Sequence, residues 1–111
     1  MKIDFTYGIS EKSFSRLISA LEKFGEIEKA VIFGSRAIGI AKAGSDIDIA
    51  IYGNKLTAEL IRELKILLNE KYNIPYSIDV VDYNNISNLE LKNHIDEKGK
   101  IIFTRLKKKV I

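Results

Sequence analysis

The 111-residue chain contains no cysteine and no tryptophan, and only one proline (Pro75), one histidine (His94) and one methionine. Without cysteine there are neither disulfides nor thiolate metal sites, which leaves oxygen ligands and a single imidazole for any cation. No apolar run approaches the ~20 residues that cross a bilayer. The opening Met1-Lys2-Ile3-Asp4-Phe5-Thr6-Tyr7-Gly8 has no stretch of signal-peptide length. A cytoplasmic protein with no membrane association is expected. Repeats, low-complexity tracts and linker-like stretches are also missing, and residues 1–111 are expected to form one domain.

What is present suits a folded domain. A chain of this size buries roughly two-thirds of its unfolded surface, enough for a core without covalent staples. Hydrophobic residues at 46% and charged residues at 30% fit that class. The net charge of +3 is helped by Arg105-Leu106-Lys107-Lys108-Lys109 in the terminal stretch 105–111. This run reads as a solvated, frayed tail, or else as a basic arm near an anionic ligand, reaching about 10 Å before salt screens it. No aromatic residues interleave these lysines, so direct nucleic-acid binding by base stacking is not indicated.

Periodicity orders the elements. Phe14, Leu17, Ile18, Leu21 and Phe24 recur at three- and four-residue spacing, which predicts a helix from Glu11 to Phe24 with Ser10 as N-cap and Gly25 as a left-handed stop. Ala30–Phe33 reads as a buried strand. Asp46–Tyr52 alternates, with Asp46, Asp48 and Ala50 on one face and Ile47, Ile49 and Ile51 on the other. Thr57 caps a helix to about Glu70, and Tyr76–Asp82 forms a third strand with Asp79 opposite Ile78 and Val80. A helix from about Ser87 to Lys98 ends at Gly99, before a last strand, Lys100–Phe103. The order α-β-(short α)-β-α-β-α-β predicts an α/β (α+β) domain, one central sheet flanked by helices.

Chemistry concentrates in two stretches, Val31-Ile32-Phe33-Gly34-Ser35-Arg36 and Gly44-Ser45-Asp46-Ile47-Asp48-Ile49. Strand residues two apart point the same way with Cα atoms about 6.5–7 Å apart, so Asp46 and Asp48 can converge on one cation. Asp79 occupies a similar position on another strand. Three ionised carboxylates about 5 Å apart repel by about 3 kcal/mol per pair at an effective dielectric near 20, which calls for a metal or a bound proton. Hard oxygen donors select Mg²⁺ or Mn²⁺ over zinc. Taken alone, Asp46 also reads as a turn residue and Asp48 as a solvent-facing strand position. Gly34-Ser35 after a buried strand is commonly just a turn, but it also lets backbone approach a phosphate, with the Ser35 hydroxyl and the Arg36 cation adding donors. His94 reads as a surface or satisfied histidine, and Asp82 as a turn residue.

Gly34-Ser35, ten residues, then Asp46-x-Asp48 resembles the signature of the DNA polymerase β-like nucleotidyltransferase superfamily. With Phe33-Gly34-Ser35-Arg36-Ala37, Gly39, Gly44-Ser45-Asp46-Ile47-Asp48, Ile78-Asp79-Val80-Val81-Asp82 and Ile95 to Phe103, it resembles the minimal nucleotidyltransferase (MNT) branch over nearly the whole chain. The resemblance implies a nucleotidyltransferase fold built on one mixed sheet. It also implies that Gly34 and Ser35 hold a triphosphate, with Arg36 beside them, and that Asp46 and Asp48 ligate two Mg²⁺ ions. Asp79 matches the third carboxylate, a metal ligand that also draws a proton from the acceptor. The sequence departs from the pattern at Ile38, where members often carry a second basic residue. Lys42 replaces that residue only if its loop folds back.

Nothing in 111 residues is left over for an acceptor-binding domain, so the acceptor site is expected to be shared with another polypeptide or a second copy. The resemblance implies the antitoxin half of a pair whose other half is a helical HEPN toxin, adenylylated on a tyrosine with ATP as donor. Transfer to a nucleic-acid end or a small molecule is the other enzymatic reading. A non-catalytic antitoxin that covers its partner is the reading from a different class.

Overall fold

The computed structural model describes residues 7–42 and 44–105. Three helices, α1 (Glu11–Glu22), α2 (Ala58–Ile66) and α3 (Leu89–Lys98), accompany four strands, β1 (Lys29–Phe33), β2 (Ile47–Tyr52), β3 (Ile78–Asp82) and β4 (Lys100–Thr104). The strands form one mixed sheet in the order β3-β2-β1-β4. β1 runs antiparallel to β2 and β4, while β2 and β3 are parallel. Parallel neighbours need a crossover, and α2 supplies it.

The alternation along β2 separates two cores. Ile47, Ile49 and Ile51 join Ile32, Ile78 and Val80 under Leu17, Leu21, Leu60, Leu64 and Leu68 from α1, α2 and the turn after α2. Each such side chain removed from water contributes about 1.5–3 kcal/mol. On the other face Ala50, Val31 and Phe33 pack beneath Ile95 of α3. Asp48 shares that second face by its parity with Ala50, so the smaller core forms the floor beside the acidic site.

Each helix begins on a side-chain cap worth about 1 kcal/mol. Ser10 Oγ accepts the Ser13 N–H at 3.2 Å, Thr57 Oγ1 that of Leu60 at 3.1 Å, and Asn88 Oδ1 that of Leu91 at 3.1 Å. Several boundaries differ from the sequence reading. α1 stops at Glu22, with Lys23 still in the right-handed region, and Gly25 is not left-handed. α3 starts after Asn88 rather than Ser87. Gly99 is needed for another reason: its φ is −63°, and a Cβ there would lie 2.5 Å from Val31 Cγ1, so its hydrogen lets α3 close onto β1. Asp46 and Ser77 precede their strands, and the Ile47 N–H donates to the Ser77 carbonyl at 2.8 Å.

After α2 the chain widens into a π turn, Leu67–Lys71. This turn delivers Asn69 to β3, where its Oδ1 accepts the Ile78 N–H at 2.9 Å and its Nδ2 donates to the Ile78 carbonyl at 3.0 Å. The side chain thereby pairs as a short strand would, one residue before Asp79. At the other end Arg105, first in the basic run, is pinned through its guanidinium to the carbonyls of Ile27, Phe24 and Glu22. Arg105 is therefore anchored rather than frayed; residues 106–111 lie outside the described residues. Among the described residues no helix is long and apolar enough to cross a membrane.

Candidate active site

Parallel pairing sets Asp48 of β2 directly beside Asp79 of β3, while antiparallel pairing sets Phe33 of β1 on its other side. Neighbouring strands lie about 4.8 Å apart, so the two carboxylates start from adjacent positions on one face. Asp46 stands two residues before Asp48 and is exposed. The sheet therefore brings the three sequence-predicted acids to one corner, at the end of β1 where the chain turns through Gly34–Arg36.

Electrostatics there are unbalanced. Burial pushes the Asp48 carboxyl above its ordinary pKa, and the charges of Asp79 and Asp46 push it further. The charge of Arg36 opposes the rise. Asp79 is turned toward Lys65 of α2, its Oδ1 3.7 Å from the Nζ, with side chains 57% and 44% exposed respectively. An exposed pair of that length holds by only about 0–1 kcal/mol. Among the described residues, no three carboxylate or histidine side chains are gathered tightly enough to hold a metal ion. The residue types still fit a hard divalent cation, since Asp48 carries the uncompensated charge that such an ion would neutralise.

The Gly34–Arg36 segment is a 3₁₀ turn entered with Gly34 at φ +77°. Its backbone lies against Asp48: a Cβ on Gly34 would sit 2.5 Å from Asp48 Oδ2. The Gly34 N–H donates to His94 Nε2 at 2.9 Å, and the Gly34 carbonyl accepts the Ala37 N–H at 3.1 Å. Ser35 is half-buried beside it.

Arg36 lies otherwise than the sequence implied. It is 4% exposed, and its guanidinium is used on backbone: Nε and Nη2 donate to the Ser45 carbonyl at 3.2 and 2.6 Å, and Nη1 to the Tyr7 carbonyl at 3.1 Å. The Tyr76 ring lies 4.9 Å from the guanidinium carbon. Arg36 ties the turn to the residue just ahead of Asp46, and reaches Asp48 only as a nearby charge. Ile38 is 44% exposed. The Lys42 N–H donates to Ser45 Oγ at 2.9 Å, and its side chain is exposed.

Two residues escaped sequence reasoning. His94, read there as surface or satisfied, is satisfied, but by the turn of the candidate site. Lys65 has no role in the sequence reading and meets Asp79 only in the fold. The available signal is the four-residue spacing of Lys65 and Asn69, which puts both on one side of a helical stretch without naming the strand they meet.

Comparison with known proteins bears on this geometry. The family described as Polymerase beta, Nucleotidyltransferase matches residues 15–108. The chain belongs to that family. No curated protein matches it. Among solved structures this nucleotidyltransferase is similar to a toxin–antitoxin with AMP-PNP at 23% identity, covering 83% of this chain and 73% of that one, TM-score 0.68. It is similar to a toxin–antitoxin MntA-HepT at 20% identity, covering 86% and 74%, TM-score 0.65. A third is a tri-AMPylated Shewanella oneidensis HEPN toxin in complex with MNT antitoxin, at 21% identity, covering 84% and 71%, TM-score 0.63. At these identities the likeness establishes the fold, a mixed sheet with helices, for this nucleotidyltransferase.

Proposed function

We propose that this chain transfers AMP from ATP to a tyrosine of a helical HEPN-type toxin, acting as its antitoxin. The observation that carries this reading is the register match of Asp48 with Asp79 beside the Gly34–Arg36 turn, in a chain of the nucleotidyltransferase family. ATP as donor rests on the neighbour with AMP-PNP, and the acceptor on the neighbour whose HEPN toxin is AMPylated. Asp46, Asp48 and Asp79 would hold Mg²⁺, two ions with Mn²⁺ as a substitute, which when bound supply neutralisation of phosphate charge and activation of the hydroxyl.

The chain's own residues account for the remaining steps. Ser35 and the turn that carries it hold the triphosphate, while Arg36 fixes that turn relative to Asp46. The acceptor oxygen attacks the α-phosphorus in line. Its proton passes to Asp79, the bond from phosphorus to the bridging oxygen breaks, and pyrophosphate leaves. A phenol suits this step, because a pKa near 10 lies within reach of a carboxylate acting with a cation. The weak contact with Lys65 releases Asp79 at little cost.

A second reading, neutralisation by covering the toxin without transfer, is favoured by the pairing of Asp79 with Lys65 rather than with the other acids. Intact-mass measurement of a co-expressed HEPN-type toxin separates the two. Catalysis predicts an AMP adduct with the wild type and none with Asp46→Asn. Asp79→Asn should keep ATP binding and lose transfer. A stable complex without adduct, in which Asp46→Asn still neutralises the toxin, would replace the catalytic reading with the covering one.

A further inference from the structure

We infer that His94 is a positioning residue for the phosphate turn: its imidazole holds the Gly34 N–H and thereby sets the direction in which Ser35 meets a nucleoside triphosphate. This rests on the nucleotidyltransferase reading above and extends it to a residue sixty positions downstream of the turn. The bond, Gly34 N to His94 Nε2 at 2.9 Å, joins α3 to the end of β1.

Three features make this contact more than a satisfied surface histidine. The ring is held in place, edge-on to Phe33 with centroids 6.1 Å apart and planes at 75°. Its helix is firmly seated as well, since Ile95 beside it is 2% exposed and Gly99 lets the end of α3 pack onto Val31. Gly34 in turn has φ +77° and lies against Asp48 Oδ2. A left-handed glycine has many alternatives open to it, and a fixed acceptor on its N–H removes most of them.

The arrangement also divides labour within the turn. An Nε2 that accepts a hydrogen bond carries no proton, so the imidazole proton sits on Nδ1. Nε2, the ring's acceptor, is then committed to Gly34 and does not serve as a base toward an acceptor hydroxyl. Equally, the Gly34 amide is committed to His94 and is not a donor to phosphate, which leaves Ser35 to make the direct contact.

The test uses the full chain, ¹⁵N-labelled, with Mg²⁺ and AMP-PNP as probe. His94→Phe keeps a ring against Phe33 and removes the acceptor; His94→Gln restores an acceptor at similar reach. In the wild type the Ser35 amide resonance should shift on AMP-PNP addition far more than that of Gly34. His94→Phe should lose hydrogen-exchange protection at Gly34 and bind AMP-PNP about tenfold more weakly, a change worth ~1.4 kcal/mol. His94→Gln should recover both, with thermal melts showing all three folded. Unchanged affinity in His94→Phe, or failure of a folded His94→Gln to recover it, overturns the inference. If the wild type ignores AMP-PNP, the nucleotidyltransferase reading fails, and Gly34 exchange alone decides the role of His94. Equal protection in wild type and His94→Phe would then overturn it.

Discussion

Gly34 and Asp48 approach so closely that a Cβ on the glycine would lie 2.5 Å from the carboxylate Oδ2. The glycine at the end of β1 and the acid on β2 are therefore one unit of structure. Gly34→Ala faces both this clash and a φ of +77°. It should destabilise the domain by about 2–4 kcal/mol in urea denaturation. In an Asp48→Ala background the same substitution should cost about 1 kcal/mol less, because the oxygen it meets is gone. Equal costs in the two backgrounds would show that the turn relaxes away from β2.

The raised pKa of Asp48 makes a pH prediction for the metal-free protein. Burial, then Asp79 and Asp46, favour its protonated form in the fold. The acid binds its proton more tightly folded than unfolded, so stability is greatest below the raised pKa and falls as pH rises through it. Asp48→Asn should weaken that decline and be the more stable protein at pH 7 in chelator. It should also abolish Mg²⁺-dependent ATP turnover. Urea titrations between pH 4 and 7 provide the check. A wild type more stable than Asp48→Asn at pH 7 would contradict the picture of an uncompensated acid.

Arg36 is a third point of test. Its fork donates twice to the Ser45 carbonyl and once to that of Tyr7. A lysine offers a point charge instead of a planar fork and cannot reproduce that set. Arg36→Lys should lower stability by about 1.5–3 kcal/mol, the range for hydrogen bonds to a charged group, measured by urea denaturation. The loss should appear without nucleotide present, because the side chain serves the loop before Asp46.

Tyr52 provides a prediction far from the acids. Its ring stacks on Tyr83 with centroids 4.4 Å apart, and Lys29 Nζ lies 4.2 Å from its centre. Burial, followed by Tyr83 and Asp96, pushes its phenol up to about 12. The neutral phenol is favoured in the fold, so its stabilising contribution is intact below pH 10 and lost as pH rises toward 12. Tyr83 is raised as well, by its hydrogen bond to Asp96, so ultraviolet titration should show late tyrosinate steps of which the one near pH 12 is missing in Tyr52→Phe.

The features legible in the sequence are those held by local contacts. Helix stripes, the strand alternation that sends Ile47 and Asp48 to opposite faces, and the Ser10 and Thr57 caps depend on residues within four positions. Backbone geometry alone translates such spacing into faces, so the amino-acid sequence by itself determined the elements, the two faces of the sheet and the acidic candidates. The pairing of Asp48 with Asp79 depends on the parallel register, which the crossover through α2 and the Asn69 clamp on Ile78 set. His94 reaches Gly34 across sixty residues, Lys65 reaches Asp79 across a sheet edge, and Arg36 turns inward onto the carbonyls of Tyr7 and Ser45. A side chain's direction is chosen by whichever partners the packed chain delivers, and only the tertiary structure brings those partners together.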